Sequence, residues 1–113
     1  MKTSGAAGIN SPIELLAILA AMFPTFASEF DADEEITTYH QVVRRLTPVI
    51  TSYLKETPTQ AAPFCDLVNA MVAAGGEQEN AIDNCLLEHA SQVSLRKVIR
   101  PHLSAAAATQ LLR

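Results

Sequence analysis

Apolar residues fall at Ile36, Tyr39, Val43, Leu46, Ile50 and Tyr53, in steps of three, four, three, four and three. That spacing is the period of one face of an α-helix and cannot be the alternation of a strand. A stripe this long has to be covered, so several other elements must pack against it. Pro48 lies two residues beyond Leu46, on the opposite side of the helical wheel. The pattern therefore predicts one kinked helix, beginning near Asp31 or Asp33 and reaching about Lys55, rather than two helices.

The remaining punctuation is also helical. Ser11-Pro12-Ile13-Glu14 reads as an N-cap, a proline in the first position and an acid that closes a capping box. The first helix should run to about Met22, where Phe23-Pro24 stops it; "TFASEF" could add a short turn. Thr57-Pro58-Thr59-Gln60 reads as a second capping box, opening a third helix with Phe64, Leu67, Val68, Met71 and Val72 inward. Gly75-Gly76 ends it, and a fourth helix follows with Glu77 and Glu79 in its first turn and Ile82, Cys85, Leu86 and His89 as its stripe. Ser94 to Arg100 reads as a short fifth helix cut by Pro101. Ser104 caps a last one, docked by Leu103, Leu111 and Leu112. No strand pattern and no repeat appears. The expectation is an all-α protein, an irregular or orthogonal bundle of about five to six helices. Residues 1–10 should be a flexible N-terminus and residues 11–113 a single helical domain.

The net charge of −4 is unevenly placed. Residues 1–35 hold one Lys against six acids, and residues 36–113 hold seven bases against six acids. Five of the acids, Glu29, Asp31, Asp33, Glu34 and Glu35, crowd into "EFDADEE". A helix start needs one cap and one dipole partner, and five adjacent carboxylates repel one another. Two readings stay open: a solvated acidic turn, or a surface for a basic protein partner. A calcium loop is excluded, because its required Gly and Glu positions are Ile36 and Val42. Thr37, Leu86 and Ile99, not Glu, stand three residues before His40, His89 and His102, so the Glu-x-x-His pairs of a di-iron carboxylate site are absent. No metal and no cofactor is expected. The acidic end and the scarcity of aromatic side chains argue against nucleic acid.

Cys65 and Cys85 form no metal-ligand spacing and are expected as reduced, buried thiols. Both lie ten residues from Gly75, so a bridge across the helical hairpin is conceivable if the two face each other. Neither sits in a pattern that would activate it beside His89, and no catalytic motif is present, so no enzymatic activity is expected. Residues 94–113 hold four bases and no acid. They could touch phosphate, but pairing with Glu77, Glu79, Asp83 and Glu88 is the simpler expectation. The run "IELLAILAAMF" is too short to span a bilayer and starts with Glu14. It reads as a buried helix of a cytoplasmic protein without membrane contact, with a secretion signal as the alternative. Such an apolar helix is either surrounded by its own chain or faces a partner, so a homodimer contact is possible.

Three stretches, "MFPTF", "AAGGEQENAIDNCLLEHA" and "VIRPHL", together resemble a family of small all-helical bacterial domains of unknown function. The resemblance covers about residues 13–112 and includes Asn80 and Leu87-Glu88. The chain departs from the family pattern at Ser104, where Gly is usual. Domains of this sort are often encoded beside toxins. The resemblance implies an immunity-type role, in which this chain binds a basic toxin domain through its acidic residues. The alternative is a stand-alone structural or regulatory domain that homodimerises through its first helix.

Overall fold

Ser11 caps the first helix as its sequence suggests, accepting a 3.2 Å hydrogen bond from the Glu14 N–H. Glu14 in turn accepts from the Asn10 N–H, one residue earlier than a capping box would have it. The computed structural model describes residues 9–89 and 95–111, apart from the side chains of His89 and Leu111. Six α-helices occur there, α1 (Pro12–Met22), α2 (Tyr39–Glu56), α3 (Ala61–Ala74), α4 (Gly76–Cys85), α5 (Arg96–Ile99) and α6 (Ala105–Leu111), joined by short 3-10 turns. No strand is present among the described residues. The protein is an all-α bundle. The expected flexibility of residues 1–8, the Ser94 helix start, and the docking of Leu111 and Leu112 lie outside the described residues.

Three expectations need correction. Ile9, assigned to a loose terminus, is buried, and its carbonyl accepts from Gln78 Nε2 at 3.2 Å. α2 begins at Tyr39, not near Asp31 or Asp33, because Thr38 takes the cap: its hydroxyl accepts from the Gln41 N–H at 3.0 Å. Thr57 caps nothing. Its hydroxyl turns back to the Tyr53 carbonyl at 2.7 Å, finishing α2, and Pro58–Gln60 make a 3-10 turn before α3.

α2 is a single helix with Pro48 inside it, exposed on the side away from the core. Its buried face is wider than one stripe. Tyr39, Val43, Leu46 and Ile50 are buried as expected, but so are Val42, Thr47 and Leu54, because α1 and α4 both pack on it. All five expected α3 residues are buried, and Cys65 joins them. Gly75, between α3 and α4, has φ 72° and ψ −168°, a region open to glycine alone. α4 stops at Cys85 rather than running on through His89. Leu86 leaves the helical region, and a 3-10 turn at Leu87–His89 follows. The change of winding lets the consecutive residues Leu86 and Leu87 both reach the core. The carbonyl of Cys85, at the break, lies within hydrogen-bond distance of the buried Thr47 hydroxyl of α2.

α1 is not surrounded. Leu15 and Leu19 are buried, Leu16, Ile18 and Met22 are half-buried, and Ile13 is 55% exposed. Beyond Pro101, α3 holds the chain through Asn69, whose side chain donates to the His102 carbonyl at 3.2 Å and accepts from the Ser104 N–H at 2.8 Å.

Leu67 on α3 and Leu86, the residue just past the end of α4, are 2% and 0% exposed. Leu67→Ala and Leu86→Ala should each lower stability by about 2–5 kcal/mol, as buried large-to-small changes do. Urea denaturation checks this; an unchanged midpoint in either variant contradicts the packing described.

Candidate functional site

The acidic segment lies between the 3-10 turn Pro24–Glu29 and the start of α2. Its shape follows from local chemistry. Phe30 is extended and packs edge-on against Phe26, with ring centroids 5.4 Å apart. Asp31 and Glu34 make one of the two capping-box bonds, and the second is replaced by a backbone turn bond. The Asp31 N–H donates to Glu34 Oε1 at 3.2 Å, and the Glu34 N–H donates to the Asp31 carbonyl at 3.1 Å. Here they close a turn and not a helix.

Two side chains of α2, one turn apart, then bind the segment. Gln41 Nε2 donates to Glu34 Oε2 at 2.8 Å and to the Glu35 carbonyl at 2.9 Å, and Gln41 Oε1 accepts from the Thr37 N–H at 2.9 Å. Arg45 donates to Glu34 Oε2 at 2.9 Å and to the Glu29 carbonyl, and its guanidinium lies 4.9 Å from the centre of the Phe30 ring. Arg45–Glu34 is the only ion pair among the described residues. The Gln41 amide, followed by the Asp31 N–H and Arg45, holds the Glu34 carboxyl below the ordinary 4.5, against a partial desolvation that pushes it up.

The five acids therefore separate into two roles. Glu34 is turned toward α2 and holds the segment down. Glu29, Asp31, Asp33 and Glu35 are exposed, and none has a cation within ion-pair distance among the described residues. What this arrangement can do is attract and orient positive charge. The roles of Gln41 and Arg45 had one signal in the sequence, the pattern Thr38-x-x-Gln41, which is a capping box in its own right.

The other candidates are dispersed. Both cysteines are free. Cys65 is buried, its thiol 3.6 Å from the Ile99 carbonyl of α5, and burial followed by the nearby Asp66 charge pushes its pKa up to about 12. Cys85 is only half-buried, which corrects the expectation of two buried thiols. Burial raises its pKa too, with Arg44 acting against the rise. Arg96, Lys97 and Arg100 form no ion pair with Glu77, Glu79 or Glu88 among the described residues; Glu79 accepts from Gln110 Nε2 at 2.6 Å. Arg96 is half-buried, and Lys97 and Arg100 are exposed. A cleft of about 180 Å³, lined by Met22, Phe23, Pro24, Thr25, Tyr53, Glu56 and Thr57, opens where the ends of α1 and α2 meet. It is smaller than the usual volume of a small-molecule site, roughly 300–1,000 Å³. Among the described residues, no cluster of three or more His, Cys, Asp or Glu side chains could hold a metal ion, and no helix is long and apolar enough to cross a membrane.

No protein family, curated protein or solved structure matches the chain.

Because the Glu34 carboxyl is held below its ordinary value, its contribution to stability is complete above about pH 4.5 and is lost as pH falls through the depressed value. The stability difference between the native protein and Glu34→Gln should be largest near neutrality and should close in acid. Urea titrations at a series of pH values check this; a difference that is flat down to pH 3 contradicts it.

On native protein, iodoacetamide should label Cys85 well before Cys65, since a buried thiol with a raised pKa is inert. Peptide mass spectrometry reads the order. A Cys65–Cys85 bridge, or equal labelling, contradicts it.

Proposed function

We propose that this chain is a cytoplasmic immunity-type protein that sequesters a cognate bacterial toxin domain through its acidic segment. The observation that carries the reading is the exposed set Glu29, Asp31, Asp33 and Glu35, free of cations among the described residues and held in a fixed segment by α2. Like charges concentrated on one surface accelerate encounter with a basic cleft and reject acidic competitors. A segment already ordered loses less entropy on binding than a free loop would. The resemblance to toxin-associated helical domains and the two unbridged thiols support the same reading.

The test is the triple variant Glu29→Lys, Asp33→Lys and Glu35→Lys, which leaves Glu34 in place. The partner is the product of the adjacent gene, co-expressed and purified. Association at low ionic strength should slow by about tenfold or more, the loss should shrink as salt rises, and the thermal midpoint should stay put. Association at the native rate in low salt removes the segment from the interface.

A second reading rests on a different observation. Ile13 is exposed on α1 one turn before the half-buried Leu16, which suits a homodimer contact. Light scattering decides it, since a monomer at high concentration leaves α1 without that role.

A further inference from the structure

We propose that residues 30–38 form a strap that opens and closes on α2 as one unit, with the side chains of Arg45 and Gln41 as its latch. The inference goes beyond the binding role above and stands whatever the acids meet.

Three observations carry it. First, no residue from Phe30 to Thr38 is buried, and only Phe30, Glu34 and Ile36 are even half-buried. Apolar burial alone therefore holds the strap weakly. The elements on either side differ, because Phe26 is 0% exposed and Tyr39 only 8%. The anchored chain thus resumes at once at Tyr39, and at Phe26 on the other flank after three exposed residues, so the strap is bounded.

Second, the side-chain bonds between this segment and the body of α2 converge on two residues, Gln41 and Arg45. They stand four apart, on the same face and one turn from each other. Third, the two are coupled through one group. Glu34 Oε2 accepts from both of them, while Glu34 Oε1 accepts from the Asp31 N–H. Releasing Glu34 removes a partner from Gln41, which also holds Thr37 and Glu35, and from Arg45, which also holds Glu29 and covers Phe30. Every bond in the set shares a residue with another, the arrangement from which a local cooperative unit can be built.

The closed strap fixes Asp31, Asp33 and Glu35 relative to one another and to the bundle. The open strap disperses them. The latch therefore sets the fraction of molecules that present an ordered acidic surface.

The experiment is backbone amide exchange with solvent, read by NMR on the full chain and on two variants, Glu34→Gln and Arg45→Met. Each variant has a remote reporter. Thr37 makes no bond to Glu34, and Asp31 makes none to Arg45. If the strap is one unit, Glu34→Gln speeds exchange at Thr37, and Arg45→Met speeds it at Asp31, each by about tenfold, the scale of losing a hydrogen bond to a charged group. Amides of α3 between Phe64 and Met71 keep their native rates in both variants, which also shows that the bundle is folded. Acceleration restricted to the directly bonded amide overturns the proposal, because the bonds are then separate. Equal acceleration in α3 overturns it too, because the strap then opens only with the whole bundle. Unchanged rates at both reporters show that Arg45 and Glu34 latch nothing.

Discussion

α2 is held on two sides, and most of the molecule is arranged around that fact. α1 covers one part of its buried face and α4 another, with Val42, Val43, Leu46, Ile50 and Leu54 all nearly or fully inaccessible. Burying that much aliphatic surface is worth on the order of 1.5–3 kcal/mol per side chain before conformational entropy is subtracted. The face also contains a polar joint. Thr47 reaches the carbonyl of Cys85 where α4 changes its winding, so a backbone oxygen freed by the break is not left dry. The α4 break and the Thr47 position are thus one solution to one problem. Two consecutive leucines enter the core, and the carbonyl before them finds a hydroxyl.

The opposite side of α2 does different work. Pro48 is exposed there, and it removes one backbone donor without disturbing the packed face. One turn before it, Arg45 reaches out to a segment with almost no apolar anchorage of its own. A half-exposed ion pair is a weak tie in water, commonly worth under about 1 kcal/mol. Here the same guanidinium also serves a backbone carbonyl and an aromatic ring, so several weak contacts act through one side chain.

The parts of this fold legible in the sequence are those fixed by short-range chemistry. Ser11-Pro12 starts α1, Phe23-Pro24 stops it, Gly75 closes α3, and the Ser104 hydroxyl accepts from the Ala107 N–H to start α6. The start of α2 was not legible, because two capping boxes compete for it. Asp31 with Glu34 and Thr38 with Gln41 have the same spacing, but Thr38 accepts the N–H three residues on with its side-chain hydroxyl, whereas Asp31 accepts it with its backbone carbonyl. Only the second begins a helix. One consequence of the later start concerns Arg45. Were the helix to begin at Asp31, Glu34 and Arg45 would stand eleven residues apart along one axis, roughly 16 Å, and could not meet. Holding residues 31–38 off the helix is what brings them to 2.9 Å. The role of Glu34 was hidden for the same reason, since it depends on where α2 begins. Asn69 was missed because a half-buried amide on a helix gives no pattern to read, although it spans the turn between Pro101 and α6.

The bond from Gln78 to the Ile9 carbonyl joins residues 69 apart in the chain. It ties the segment before α1 to the first turn of α4, and so encloses α1, α2 and α3 in one loop. The entropy of closing a loop grows only with the logarithm of its length, by about 0.6 kcal/mol for each doubling. Holding the N-terminal segment across most of the fold is therefore scarcely dearer than holding it to a neighbour half as far away. The longer span has a mechanical effect that a shorter one would lack. The leading end of α1 cannot peel from the bundle without breaking its bond to α4, so fraying at the start of the chain is felt at the hairpin at its centre.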